Sequence, residues 1–119
     1  MKQNVVQDKS YKFSIRIINL YKFLKKDKNE FILSKQILRC GTSIGANIEE
    51  AIGGISRKDF IAKLQISYKE ARETHCWLRL LKDTEFIDEN MFKSLIDDCE
   101  EVLKLLSKIL ETSKSNLGN

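Results

Sequence analysis

In FKSLIDDCEEVLKLLSKIL, residues 92–110, the apolar side chains Phe92, Leu95, Cys99, Val102, Leu106 and Ile109 recur at spacings of three and four. At about 100° per residue this places them on one face of an α-helix. Ile96, Leu103 and Leu110 widen the stripe beyond the narrow seam of a two-stranded coiled coil, so the helix must meet two neighbours, as in a bundle core. Asp88 stands where a helix cap belongs. The spacing predicts a helix over 89–113, followed by a frayed tail from Ser113.

Working back along the chain, residues 83–87 form a short link, preceded by a helix expected over 57–82 with Phe60, Leu64, Ser67, Ala71 and Leu78 facing inward. Ser56-Arg57-Lys58-Asp59 reads as a variant capping box at its start. Gly53-Gly54 reads as the stop of the preceding helix, where glycine takes left-handed angles cheaply. That helix is expected over 30–52, with Leu33, Ile37, Cys40, Ile44, Ile48 and Ala51 inward. Gly41 and Gly45 lie four apart inside it. Each costs about 1 kcal/mol relative to alanine, which predicts the close approach of another helix. The first helix is expected over 8–26, with Phe13, Ile17, Leu20 and Leu24 as its core stripe. Tyr11, Ile15 and Ile18 form a second apolar strip on the opposite side, which a solitary bundle would leave in water. Short links make successive helices antiparallel, so residues 1–119 read as one all-α, up-down-up-down four-helix domain.

The bulk numbers narrow the function. Proline is absent and only five glycines occur, which suits long helices. Three cysteines, Cys40, Cys76 and Cys99, form no CxxC pair, and the one histidine, His75, allows neither a His-pair metal site nor a triad. Arg72, three residues before His75, breaks the Glu-x-x-His motif of di-iron bundles. No phosphate-cradling glycine loop is present. No segment has the roughly 18–20 uncharged apolar residues that span a bilayer. The expectation is a cytoplasmic, non-enzymatic protein with no cofactor.

Charge is unevenly placed. Residues 1–48 carry ten Lys/Arg and three Asp/Glu, whereas residues 83–119 carry four and nine. Lys12, Arg16, Lys22, Lys25, Lys26, Lys28, Lys35 and Arg39 lie on or between the first two helices, where they form a candidate nucleic-acid surface beside Tyr11 and Tyr21. The alternative for such charges is a solvated helix face or a contact between protomers. A second constellation is polar: Ser43, Asn47 and Glu50 make one ridge, Glu70 and Glu73 another, with Arg39, Arg72 and Arg79 available for pairing. It reads either as a register-fixing network or as a ligand pocket.

The segments Ser43-Ile44-Gly45-Ala46-Asn47-Ile48-Glu49-Glu50, Ser56-Arg57-Lys58-Asp59-Phe60, Lys69-Glu70-Ala71-Arg72-Glu73-Thr74 and Trp77-Leu78-Arg79-Leu80-Leu81 together resemble the bacterial 23S rRNA intervening-sequence proteins. That family's second-helix pattern is S-[IV]-P-x-N-I-A-E-G. Ser43, Ile44, Asn47, Ile48 and Glu50 follow it, while Gly45, Glu49 and Ala51 depart from it. The resemblance implies a four-helix protomer in a ring-shaped homopentamer, related to the accessory variability protein of diversity-generating retroelements, an RNA-binding partner. It makes Tyr11, Ile15 and Ile18 the candidate subunit contact and RNA or DNA the candidate ligand. A scaffold for another protein, or a small-molecule pocket at Glu70 and Glu73, is the competing expectation.

Overall fold

Each of the four apolar stripes forms a helix, and burying those stripes against one another produces the fold. A computed structural model describes residues 2–118. Its elements are α1 (Lys2–Lys28), α2 (Leu33–Ile52), α3 (Arg57–Asp83) and α4 (Glu89–Gly118). They pack in sequence order around a square: α2 lies against α1 and α3, and α4 against α3 and α1. The α2·α3 seam is the most extensive and the α1·α4 seam the least. The bundle measures 50 × 22 × 20 Å, its length set by helices of 27 and 30 residues rising about 1.5 Å per residue.

The core holds the expected stripes: Phe13, Ile17, Leu20 and Leu24 from α1, Ile37, Cys40, Ile44, Ile48 and Ala51 from α2, and the full α4 series from Leu95 to Leu110. Phe60 and Phe92 pack against its edge. Two helices outrun their expected ends. α1 begins at Lys2 rather than near Asp8, because Val6, one heptad before Phe13, is also buried. α4 continues through the expected tail: Ser113 is buried, and Lys114 Nζ donates to Gln65 Oε1 of α3 at 2.8 Å. Asn119 lies outside the described residues.

The link after α1 corrects a boundary. Helix α2 begins at Leu33, not Glu30, because Glu30 is the cap. Asn29 turns the chain with a positive φ of 52°, a conformation asparagine tolerates better than most residues. Buried Glu30 then accepts the backbone N–H groups of Ile32, Leu33 and Ser34 at 3.2, 3.0 and 2.7 Å. Burial alone would raise its pKa, but the amides of Leu33, Ser34 and Ile32 outweigh burial and hold it below the usual carboxylate value. Ser56 and Asp88 cap α3 and α4 as expected, accepting from the amides of Asp59 at 3.0 Å and Met91 at 2.8 Å. The stop after α2 differs from expectation. Gly53 has φ −82° and no described glycine has positive φ. The final turn instead tightens through Gly53 N–H to Glu49 O and Gly54 N–H to Ala51 O, both 3.1 Å. A Cβ on Gly54 would overlap the Asp59 carboxylate.

The paired glycines bring α2 onto α1. A Cβ on Gly41 would lie 2.7 Å from Ile17 Cγ2, and one on Gly45 would lie 3.2 Å from Ser14 Oγ. Small polar side chains on the other seams donate to backbone carbonyls: Ser67 Oγ to Ile44 O across the α2·α3 seam at 2.8 Å, Cys99 Sγ to Ala71 O across the α3·α4 seam at 3.5 Å, and Thr74 Oγ1 to Glu70 O within α3 at 2.8 Å. No buried side-chain polar atom among the described residues lacks a partner, as a native-like interior requires.

Candidate functional site

Three of the eight candidate basic residues are engaged within the chain. Arg16 donates to Asp98 of α4 at 2.7 Å and to Ser94 O at 3.2 Å. Lys12 pairs with Asp8 at 3.1 Å, one helical turn away. Arg39 spans the α2·α3 seam to Glu70 at 3.2 Å and to Glu73. Lys9, which composition alone did not single out, joins Glu101 of α4. The positive and negative parts of the sequence are thus neighbours in space, and part of their asymmetry cancels along the α1·α4 seam.

Lys22, Lys25, Lys26, Lys28 and Lys35 make no ion pair among the described residues. They gather where α1 ends and α2 begins. Lys25 Nζ sits 4.9 Å from the Tyr21 ring centre and Lys28 Nζ 5.9 Å from that of Phe23, within cation–π range. Tyr21, Lys22, Lys25, Lys26 and Phe31 line an open concavity of about 480 Å³. Phe31 is 50% exposed and Ile32 75%. Neither carries a periodic signal, since both fall in the link between two stripes.

The polar constellation is regrouped. Glu70 and Glu73 are together, but it is Arg39 that pairs them. Arg72 lies exposed on the outward side of α3. The indole N–H of Trp77 donates to Glu73 at 3.0 Å. That bond first, and the Arg39 guanidinium second, hold the Glu73 pKa below the ordinary value. Ser43 and Asn47 bond back to carbonyls of their own helix, those of Arg39 and Ser43, at 2.7 and 2.8 Å. Glu50 pairs with Lys63 at 3.0 Å. The network therefore staples α2 to α3, and its two central carboxylates already hold cationic or N–H partners.

The outer strip of α1 stands as expected: Tyr11 is 65%, Ile15 46% and Ile18 39% exposed in the single chain. Ile66 and Leu80 on α3 and Ile52 and Ile55 beside the α2–α3 link are further exposed apolar side chains. Burial pushes the Cys40 thiol up to about 11 and that of Cys99 to about 12, while Cys76 is exposed. His75 lies 3.0 Å from Glu100. Among the described residues, no three His, Cys, Asp or Glu side chains are grouped to hold a metal ion. None of the described helices is long and apolar enough to cross a membrane.

Comparison with known proteins agrees with the motifs quoted above. Residues 2–108 match the model of a family described as 23S rRNA-intervening sequence protein. The chain superposes with a TM-score of 0.92 on the crystal structure of a protein of unknown function from the S23 ribosomal protein family of Bacteroides thetaiotaomicron VPI-5482. The two are 56% identical over 93% of this chain and 99% of that one. No curated protein matches. With a family model covering most of its length and a four-helix relative of this similarity, the chain belongs to the family of 23S rRNA-intervening sequence proteins.

Proposed function

We propose that the protein is a non-enzymatic, self-associating adapter of the cytoplasm that binds RNA through the lysine-rich end formed by α1 and α2. The observation that carries this reading is the cluster of Lys22, Lys25 and Lys26 around half-buried Tyr21 and exposed Phe31, with Lys28 and Lys35 at the same end of the bundle, none of the five held by an ion pair among the described residues. Phosphate binding releases counterions, so affinity should fall linearly with log salt. About four contacted phosphates would give a slope near −3 on a single strand. Lys25→Glu with Lys26→Glu should weaken binding and flatten that slope. Fluorescence anisotropy with labelled total RNA at low and moderate salt is the test, and absence of binding at low salt would end the proposal.

Self-association rests on the strip of Tyr11, Ile15 and Ile18. Because Ile15 and Ile18 are 46% and 39% exposed, covering the remainder of each contributes roughly 0.6–1.4 kcal/mol before ordering costs. The ring is a pentamer, the number implied by the family resemblance. Light scattering should give a mass of five chains, and Ile15→Asp with Ile18→Asp should reduce it. A second reading, a scaffold for another protein, is favoured by exposed Ile66 and Leu80 on α3. Pull-down with and without nuclease separates it from RNA binding. A pocket at Glu70 and Glu73 is disfavoured by the pairing of those carboxylates with Arg39.

A further inference from the structure

We infer that the recess between Tyr21 and Phe31 receives an unpaired nucleobase, so that the RNA recognised is single-stranded at this point. The inference deepens the RNA-binding reading above and depends on it. Its starting observation is the aromatic content of the lysine cluster. Lysines near the end of α1 have an ordinary explanation, since cations there complement the negative end of the helix dipole. That account requires no aromatic side chain. Phe31 is half exposed and lines the recess although it lies outside the core stripe of either helix, while Leu33 and Glu30 occupy the inward positions on either side of it. A half-wetted phenyl ring among ammonium groups suits a ligand that is flat and apolar on its faces and negative along its edge, as a nucleotide is.

Three features of the site specify that ligand. The recess, about 480 Å³ and open to solvent, is of the size that accepts a small flat molecule. Lys25 Nζ stands over the Tyr21 ring, which steadies that lysine at the rim beside Lys22 and Lys26. The amides at the start of α2, ordinarily a ready anion site, are occupied by the Glu30 carboxylate. A phosphate must therefore sit outward, on the lysines, leaving the base to turn in toward Phe31. A duplex cannot use this site, because its bases are already stacked on one another. Unpaired bases are the ones that stack on aromatic side chains.

The test compares a 12-nucleotide single-stranded RNA with a duplex of the same sequence, by anisotropy, on the full chain. Wild-type protein should prefer the single strand. Phe31→Ala should lower single-strand affinity about 5- to 150-fold, as loss of one stacked base does. The duplex affinity and the single-strand salt slope should stay unchanged, whereas Lys22→Gln with Lys26→Gln should flatten the slope for both. Phe31→Trp, which keeps a stacking face, should bind like wild type. If neither RNA binds at low salt, this inference and the RNA-binding reading fall together. If RNA binds but Phe31→Ala changes nothing, or weakens both forms equally, the base-stacking inference alone is overturned. A fall in subunit number with Phe31→Ala would make that ring an interface residue and overturn it as well.

Discussion

Replacing Gly41 with alanine sets two known effects against each other at one atom. The substitution gains about 1 kcal/mol of helix propensity in α2. The new Cβ, however, would stand 2.7 Å from Ile17 Cγ2, 2.9 Å from Cγ1 and 3.2 Å from Cβ. Ile17 is fully buried and, being β-branched in a helix, has one strongly preferred rotamer, so it cannot swing aside. Overpacking of this kind costs about 1–3 kcal/mol, and three simultaneous contacts place it in the upper half of that range. The expected net loss is about 1–2 kcal/mol, a fall in Tm of about 3–10 °C for a chain of this size. Gly45→Ala is the internal control. Its Cβ would meet Ser14 Oγ at 3.2 Å and Ser10 O at 3.5 Å, the nearer being a hydroxyl that can rotate. It should be neutral or stabilising by up to about 1 kcal/mol. In an Ile17→Ala background the two nearest contacts, Cγ2 and Cγ1, are gone and only the Cβ at 3.2 Å remains, so most of the cost of Gly41→Ala should disappear. Thermal unfolding by circular dichroism at one fixed protein concentration measures all four variants, since association would shift Tm with concentration. Equal stability of Gly41→Ala and Gly45→Ala would refute the close crossing of α1 and α2.

Further tests follow from the links and the thiols. Glu30 has a folded pKa depressed below its unfolded value of 4.5. Its contribution is therefore full above that value and is lost as pH falls through the lower folded pKa. Glu30→Ala should cost about 1–2 kcal/mol at neutral pH, as loss of a cap does, and urea titrations should show the difference from wild type shrinking on acidification. Glu85 holds a left-handed φ of 67° at the end of α3. Glu85→Gly removes that strain and should raise stability by about 0.5–1 kcal/mol, measured by the urea midpoint. With a disulfide reagent at pH 8, Cys76 should react at once, while Cys40 and Cys99, buried and with thiols near 11 and 12, should react only as the chain unfolds. Early labelling of three thiols would contradict the buried placement.

The stripes were legible because helix periodicity is local. Every apolar residue spaced three or four from another in 92–110 found the core or its edge, and the glycine pair correctly announced a close helix crossing. What misled was information that only the third dimension supplies. Val6 has only Val5 beside it among polar residues, too short an apolar run to mark it as one heptad before Phe13. Arg39 and Arg72 are equally plausible partners for Glu70 and Glu73 in one dimension. Only the seam decides, by turning Arg39 toward α3 and Arg72 to the outside. The basic stretch looked more uniform than it is, because α1 folds beside acidic α4 and two of its cations, Lys9 and Arg16, are neutralised there. Glu30 looked like the first residue of a helix and proved to be the carboxylate that starts it. Phe31, the ring on which the recess depends, breaks the spacing of both adjacent helices and so carried no periodic signal.

The chain's one tryptophan has a practical consequence. Trp77 is half-buried at the α2·α3 seam with its indole N–H on Glu73. Its emission is a built-in optical gauge of whether those two helices remain clasped. Protonating that carboxylate or prising the helices apart changes the fluorophore's surroundings and hence its colour. Because Trp77 is absent from the lining of the Tyr21–Phe31 recess, quenching on addition of RNA would report a disturbance passed through the scaffold, whereas steady emission would mean that the ligand docks on a rigid platform.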